Sequence, residues 1–154
     1  MRHAITGSLL MLAVFTASAE AGTIPWGPRA GFSLKPDQFV IGGHAKVAEP
    51  VAGWSIQPNF DLGFGDNTTT LQINGDFAYT FPELETYNWG WYAGAGLTWA
   101  TYWFSGAGSR GEIGLSILGG VSRILNNENR LSLELRFGID DIPEFMLTLG
   151  YWIF

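Results

Sequence analysis

The sequence contains no cysteine, few basic residues and a small fraction of charged residues. The absence of cysteine excludes disulfide bonds, cysteine-ligated metals and a cysteine nucleophile. Lysine and arginine number 8 against 14 aspartates and glutamates, and the net charge of −6 excludes a basic surface for nucleic acid. Charged residues make up 14% of the chain, against about 25% in ordinary soluble domains. Glycine, with 21 residues, and the aromatics, at 15%, are abundant instead, and this composition favours strands joined by tight turns.

The first 21 residues have the three parts of a secretory signal peptide. Arg2 and His3 form the short basic start, residues 5–16 form an apolar core, and Ala19-Glu20-Ala21 matches a cleavage site. The apolar core is shorter than the roughly 20 residues that a membrane-spanning helix needs. We therefore predict that residues 1–21 are a cleaved signal peptide, that the protein is exported, and that residues 22–154 form one domain.

Residues 54–81 carry the clearest structural pattern, because apolar and polar residues alternate along both halves of this stretch. Successive residues of a strand point to opposite faces, so each half has one apolar face and one polar face. A helix would scatter the same residues around its circumference. The stretch therefore predicts two strands joined by a turn at residues 65–68. Its apolar positions are Trp54, Ile56, Pro58, Phe60, Leu62, Phe64, Leu71, Ile73, Gly75, Phe77, Tyr79 and Phe81.

The same alternation, interrupted by turn residues, predicts eight strands in the mature chain. Their predicted bounds are residues 29–34, 38–47, 54–64, 70–81, 89–99, 112–123, 130–139 and 145–154. Residues 48–53 are predicted to end the second strand, residues 82–88 to form a polar link, and residues 101–111 to form the longest connection. Short connections force neighbouring strands to be antiparallel, and an eight-stranded meander removes its exposed edges by closing into a barrel.

Two eight-stranded barrels of opposite polarity fit this pattern. A soluble lipocalin-like carrier of an apolar ligand has its apolar face inside, whereas a transmembrane barrel has it outside. Most predicted strands have about 9–11 residues, the length with which a tilted strand crosses a membrane once. Strands in soluble sheets usually have roughly 5–6 residues. If the C-terminus lies on the periplasmic side, the aromatic residues gather at two rims, as at the two interfaces of a bilayer. This predicted girdle contains Trp54, Tyr79, Phe81, Trp89, Trp91, Trp99, Trp103 and Tyr151.

The end of the chain strengthens the membrane interpretation. Trp152 and Phe154 resemble the aromatic positions of the C-terminal insertion signal of bacterial outer-membrane barrels, although Gly150 and Thr148 depart from its hydrophobic pattern. The whole mature chain resembles the small outer-membrane β-barrel proteins typified by the OmpA transmembrane domain and OmpX. Within it, a pattern of residues resembles an uncharacterised porin-like group: Pro36-Asp37-Gln38-Phe39, His44, Gly63-Phe64-Gly65-Asp66, Asn74 and Tyr79-Thr80-Phe81. The resemblance implies an all-β, eight-stranded antiparallel up-and-down transmembrane β-barrel in the bacterial outer membrane. It also implies outer-membrane lipid and the barrel-assembly machinery as partners, with a monomer favoured.

With the apolar face outward, a set of charged residues points into the barrel. An eight-stranded barrel is only wide enough for its own side chains, and buried charges there must pair. We therefore predict a plugged interior with a structural or membrane-integrity role, and a narrow pore for small solutes remains an alternative. The predicted interior cluster contains Arg29, His44, Lys46, Asp61, Asp76, Glu134 and Arg136.

Catalysis is the weakest alternative that the sequence leaves open. Comparable barrels include a lipid A deacylase and a lipid A palmitoyltransferase, and acyl transfer needs a serine activated by a histidine. The mature chain has one histidine, His44, with Ser33 on the neighbouring predicted strand as the nearest nucleophile. A single inward histidine is more often structural, so we predict no enzymatic activity, no cofactor and no metal site.

Overall fold

A computed structural model describes residues 24–154, so the predicted signal peptide lies outside the described residues. The described chain forms nine strands. Their bounds are β1 Trp26–Leu34, β2 Gln38–Ala45, β3 Ala48–Val51, β4 Trp54–Phe64, β5 Thr68–Thr86, β6 Trp89–Phe104, β7 Gly108–Ile124, β8 Arg130–Ile139 and β9 Phe145–Trp152. No helix in residues 24–154 is long and apolar enough to cross a membrane.

All strands except the short β3 belong to one closed antiparallel barrel. β1 pairs with β2, each strand from β4 to β8 pairs with the next strand in the chain, and β2 pairs directly with β4. β1 also pairs with β9, from Arg29↔Gly150 to Leu34↔Phe145. The last pairing closes the barrel, which confirms the predicted fold class. A circuit of cross-strand partners that starts at Trp54 returns to β4 at Phe64, a stagger of 64 − 54 = 10 residues. Such a stagger accompanies strands tilted by about 35–45°.

Two of the predicted strands, β4 and β8, have the bounds that the alternation predicts. The prediction of a long connection at residues 101–111 is wrong, because β6 continues to Phe104 and β7 begins at Gly108. The tight turn between them uses positive φ angles of 82° at Gly106 and 85° at Gly108, which glycine adopts without steric cost.

The strands also extend further than predicted at the end of the barrel that holds Trp152. β5 continues through most of the predicted polar link to Thr86, and a two-residue turn follows with φ of 50° at Tyr87 and 68° at Asn88. Positive φ at both central residues is the requirement of a type I′ hairpin turn. The predicted break at residues 48–53 contains β3, which pairs with the start of β4.

The polarity of the barrel is that of a transmembrane barrel rather than a soluble carrier. Large apolar side chains cover the exterior, where Phe60 is 51% exposed and Ile117 is 52% exposed. Polar side chains fill the interior, where Asn74, Thr98 and Ser116 are buried. A soluble barrel would have the opposite arrangement, and the soluble-carrier alternative is therefore wrong.

Candidate functional site

The first buried ion pair in the barrel joins β1 to β4. Arg29 donates from Nε to Asp61 Oδ1 and from Nη2 to Asp61 Oδ2, both at 2.8 Å. This two-point geometry fits a guanidinium to a carboxylate and is among the stronger hydrogen-bonding arrangements in proteins. Both side chains point inward because they lie on the polar face of their strands, and both are buried.

The second buried ion pair joins β5 to β8. Arg136 donates from Nη1 to Asp76 Oδ1 at 2.8 Å and to Ser116 Oγ at 2.9 Å, and its Nη2 contacts Asp76 Oδ2. Glu134 lies between the two arginines, with its Oε1 3.2 Å from Arg136 Nη2 and 3.6 Å from Arg29 Nη1. We call these five charged residues, Arg29, Asp61, Asp76, Glu134 and Arg136, the interior network.

Neutral side chains supply further hydrogen bonds to the interior network. Asn59 Nδ2 donates to Asp76 Oδ2 at 2.6 Å, and Tyr92 donates its hydroxyl to Glu134 Oε2 at 3.1 Å. Asn74 and Thr98 continue the chain of hydrogen bonds across the lumen, since Thr98 Oγ1 donates to Asn74 Oδ1 at 2.7 Å. The network is therefore held by partners from strands on both sides of the barrel.

His44 lies inside the barrel at the Trp152 end, apart from the carboxylates. Its ring stacks on Trp152, with centroids 3.7 Å apart and planes 17° apart, and its Nε2 is 3.3 Å from the Tyr151 carbonyl oxygen. Trp152 Nε1 donates to Ser132 Oγ at 3.2 Å. Trp152 therefore faces the interior, whereas the outward positions of β9 include Leu149, which is 51% exposed. Trp152, one of the two aromatic positions of the predicted insertion signal, is consequently not on the outward face of β9.

Lys46 does not join the interior network, which corrects its predicted position. β2 ends at Ala45, and Lys46 Nζ lies 2.7 Å from Glu49 Oε2, with 32% of the lysine side chain exposed. The hydrogen bond from Lys46 holds the pKa of Glu49 below its usual value. The pair lies beside β3, the short strand that the sequence pattern did not predict.

The opposite end of the barrel is closed by Ile142, a residue of the loop between β8 and β9. Ile142 is 4% exposed and clusters with Ala100 and Tyr102. Glycines at 114 and 138 leave the space that its side chain fills. Tyr102 donates its hydroxyl to the Asp141 carbonyl oxygen at 3.0 Å. The alternation of apolar and polar residues does not predict the burial of Ile142, and the one available signal is an apolar side chain within a turn of acidic residues.

The predicted aromatic girdle lies on the barrel exterior. At the Trp152 end, Trp54 stacks on Phe77 with centroids 4.6 Å apart and contacts Tyr79 at 5.1 Å. The remaining members contribute exposed or half-exposed rings at the two ends of β5, β6 and β9: Phe81, Trp89, Trp91, Trp99, Trp103 and Tyr151.

The structure does not bring the two candidate catalytic residues together. His44 is the cross-strand partner of Gly27, whereas Ser33 is six residues further along β1 and pairs with Gln38. Six residues of strand span about 20 Å. Ser33 Oγ instead donates to the Pro36 carbonyl oxygen at 2.9 Å. Ser33 and His44 therefore do not form the serine–histidine pair that acyl transfer needs.

Comparisons with known proteins bear on the fold. Neither protein-family models nor curated proteins match the sequence. Among solved structures, the N-terminal β-barrel domain of Pseudomonas aeruginosa OprF has a TM-score of 0.65 at 15% identity, covering 84% of this chain and 94% of that one. Neisserial surface protein A gives 0.64 at 15% identity, with the same coverage. The outer membrane enzyme PagL gives 0.53 at 10% identity, covering 84% of this chain and 98% of that one.

These neighbours and the barrel geometry define the class of protein. The chain has the fold of the small eight-stranded outer-membrane β-barrels, as the sequence resemblance predicted. The apolar exterior is the surface that such a barrel presents to lipid, and it agrees with the predicted location in the bacterial outer membrane. Because the neighbours include both PagL, an enzyme, and other barrels, the fold alone does not assign an activity.

Proposed function

We propose that the protein is a plugged outer-membrane barrel with a structural or membrane-integrity role and no catalytic activity. The observation that carries this proposal is the interior network, whose five side chains are each at most 9% exposed. Charged groups held this way by several partners resist displacement, because leaving one of them buried and unpaired costs about 3–5 kcal/mol. The side chains of Ile142 at one end of the barrel and Trp152 at the other end also fill the interior, on either side of the network.

The separation of Ser33 from His44 supports the absence of acyl-transfer chemistry. PagL is an outer-membrane enzyme with this fold, so a non-catalytic role needs support from residues rather than from the fold. His44 stacks on Trp152 inside the lumen, on the opposite side of the wall from acyl chains in the bilayer. No observation favours the narrow pore over the plug.

Conductance measurements test the plug. The purified barrel is reconstituted in a planar bilayer, with a known porin as the positive control. We expect no steady conductance from the wild-type protein. A steady wild-type conductance that changes in Asp76→Asn would contradict the plugged interior, because it would place that carboxylate beside a permeation path.

The membrane-integrity role is tested in cells. A strain that lacks the protein is compared with the same strain carrying the wild-type gene, using uptake of a hydrophobic fluorescent dye as the readout. We expect faster uptake in the deletion strain and recovery with the wild-type gene. Equal uptake in the two strains would contradict the role, whatever the conductance result.

Lipid and the barrel-assembly machinery are the proposed partners of a monomeric barrel. Because Trp152 faces inward, we propose that the machinery contacts the outward side chains of β9, such as Leu149. A photocrosslinker at Leu149 should capture a component of the machinery during assembly, whereas one at Leu97 on β6 serves as the control. Equal capture at the two sites would contradict recognition through β9.

A further inference from the structure

The interior network carries an unbalanced charge. Its three carboxylates, Asp61, Asp76 and Glu134, face two guanidiniums, which leaves a formal charge of −1 in a region removed from water. Three other basic groups near the lumen do not supply the balance. Arg130, at the Trp152 end, lies over the Phe154 ring at 5.0 Å from its centroid. Lys46 pairs with Glu49 beside β3, and His44 contacts the Tyr151 carbonyl oxygen and the Trp152 ring rather than a carboxylate. A buried charge of this kind needs a compensating partner.

A group of unpartnered polar atoms lies next to this network, towards the Ile142 end. Gln38 Oε1, Thr70 Oγ1 and Gln72 Nε2 are buried and have no hydrogen-bond partner within residues 24–154. The three residues are at most 4% exposed. Buried polar atoms in native proteins are nearly always hydrogen-bonded, so a small group of unpartnered ones indicates a bound water or ion.

The strand register brings these atoms to one patch of the interior wall. Thr70 is the cross-strand partner of Gly63, and Gln72 is the partner of Asp61. Directly opposed side chains in an antiparallel pair are about 4.5–5.5 Å apart at Cβ, and two residues along a strand rise about 6.6 Å. The unpartnered atoms and the Asp61 carboxylate therefore belong to adjacent positions of one small region.

Gly63 directs the Gln38 amide oxygen into this region. Gln38 Nε2 donates to the Thr68 carbonyl oxygen at 2.8 Å, which leaves Oε1 on the opposite side of the amide. Oε1 lies 2.2 Å from where a Cβ on Gly63 would be, so the oxygen occupies the space that a side chain would take. Any larger residue at position 63 would remove this oxygen from the patch.

We propose that one monovalent alkali-metal cation binds at this patch, held by Gln38 Oε1, Thr70 Oγ1 and the side-chain amide of Gln72, beside Asp61. Rotation of the Gln72 amide by 180° presents its oxygen, since the two ends of a glutamine amide have nearly the same shape. Oxygen ligands suit hard cations, and a single positive charge offsets the surplus carboxylate of the network. No group of three or more His, Cys, Asp or Glu side chains that could hold a metal occurs in residues 24–154, so the patch is unsuited to a divalent ion.

Stability in different salts tests the site. Unfolding by urea is followed for the detergent-solubilised barrel in sodium, potassium or rubidium chloride, with choline chloride at equal ionic strength as the reference. We expect a higher urea midpoint in at least one alkali salt than in choline chloride. Thr70→Val and Gln72→Leu should each abolish this difference. The matched control is Gln57→Leu, at the other end of the lumen, where the Gln57 amide donates to Ser55 Oγ at 2.8 Å, and this variant should retain the difference.

Crystallography gives a second readout that does not depend on folding yield. Crystals of the wild-type barrel grown in rubidium chloride should show an anomalous peak at bonding distance from Thr70 Oγ1 and Gln38 Oε1. Equal midpoints in all salts together with a water molecule and no anomalous peak would overturn the proposal. Stabilisation by acid alone, without a salt difference, would also overturn it, because a proton would then balance the network.

Discussion

Replacing Arg136 with methionine gives the sharpest test of how the interior network stabilises the barrel. The guanidinium donates to both oxygens of Asp76, to Ser116 Oγ and to Glu134 Oε1. Arg136→Met keeps much of the side-chain volume, but it leaves three carboxylates facing Arg29 alone. Removing one partner of a buried ion pair costs about 3–5 kcal/mol, and we expect a loss of unfolding free energy in that range.

Asp76→Asn should cost less than Arg136→Met, although both variants break the same ion pair. The substitution removes the surplus negative charge of the network, and Arg136 keeps Glu134 and Ser116 as partners. A lost hydrogen bond to a charged group is worth about 1.5–3 kcal/mol, which sets the expected loss. The double variant should cost less than the sum of the single variants by about 0.5–3 kcal/mol, because the two residues are in direct contact.

The assay is equilibrium unfolding in urea, followed by tryptophan fluorescence and by the gel mobility of unheated samples. Arg123→Met is the control for loss of a positive charge, since Arg123 lies over the exposed Trp89 ring at 5.4 Å from its centroid. An exposed contact of this kind is worth about 0.5–1 kcal/mol. The reasoning is refuted if Arg136→Met costs no more than this control, or if Asp76→Asn is the more damaging of the two network variants.

Three further predictions concern the barrel wall and its Trp152 end. Leu133→Arg, at an outward position that is 45% exposed, should lower the unfolding free energy in a bilayer by about 2–4 kcal/mol. Leu131→Arg, near the rim, should lower it by about 0–1 kcal/mol. Equal losses for the two variants, measured by unfolding in vesicles, would contradict a bilayer-facing wall. Gly150→Ala would place its Cβ 2.5 Å from His44 Cε1, and such overpacking should cost about 1–3 kcal/mol, so an unchanged urea midpoint would refute that packing. Glu49→Gln should lower the midpoint by the full amount above the ordinary pKa of 4.5, because Lys46 lowers the pKa of Glu49 in the folded protein. The effect should shrink below pH 4.5 and be lost as the pH falls through that lower pKa. A difference between Glu49→Gln and wild type that persists in acid would contradict this origin.

The sequence predicted the parts of the fold that depend on alternation alone. β4 and β8 alternate without interruption, and their bounds were predicted correctly. The predicted hairpin of β6 and β7 is too short, because the glycines near its turn resemble a flexible loop. Outward apolar positions nevertheless continue to Trp103. Alternation also placed Asp61 and Asp76 inside, but it carries no information on which carboxylate meets which arginine.

Contacts that exist only in the closed barrel could not be predicted from the sequence. Ile142 is buried only because the barrel end and two glycines surround it. Lys46 stays out of the interior network because the strand ends two residues earlier than predicted, at Ala45, and β3 offers Glu49 as a partner. Both depend on neighbours that are distant from any local pattern.

The contacts across the β1–β9 pairing have a consequence for the order of assembly. Arg29 on β1 reaches Glu134 on β8, and His44 on β2 stacks on Trp152 on β9, so both contacts join the first hairpin to the last. Neither can exist while the sheet is open, whichever strand enters the bilayer first. Interactions that form after the folding barrier slow unfolding without speeding folding. These two contacts would therefore lower the rate at which the closed barrel unfolds without raising the rate at which it folds.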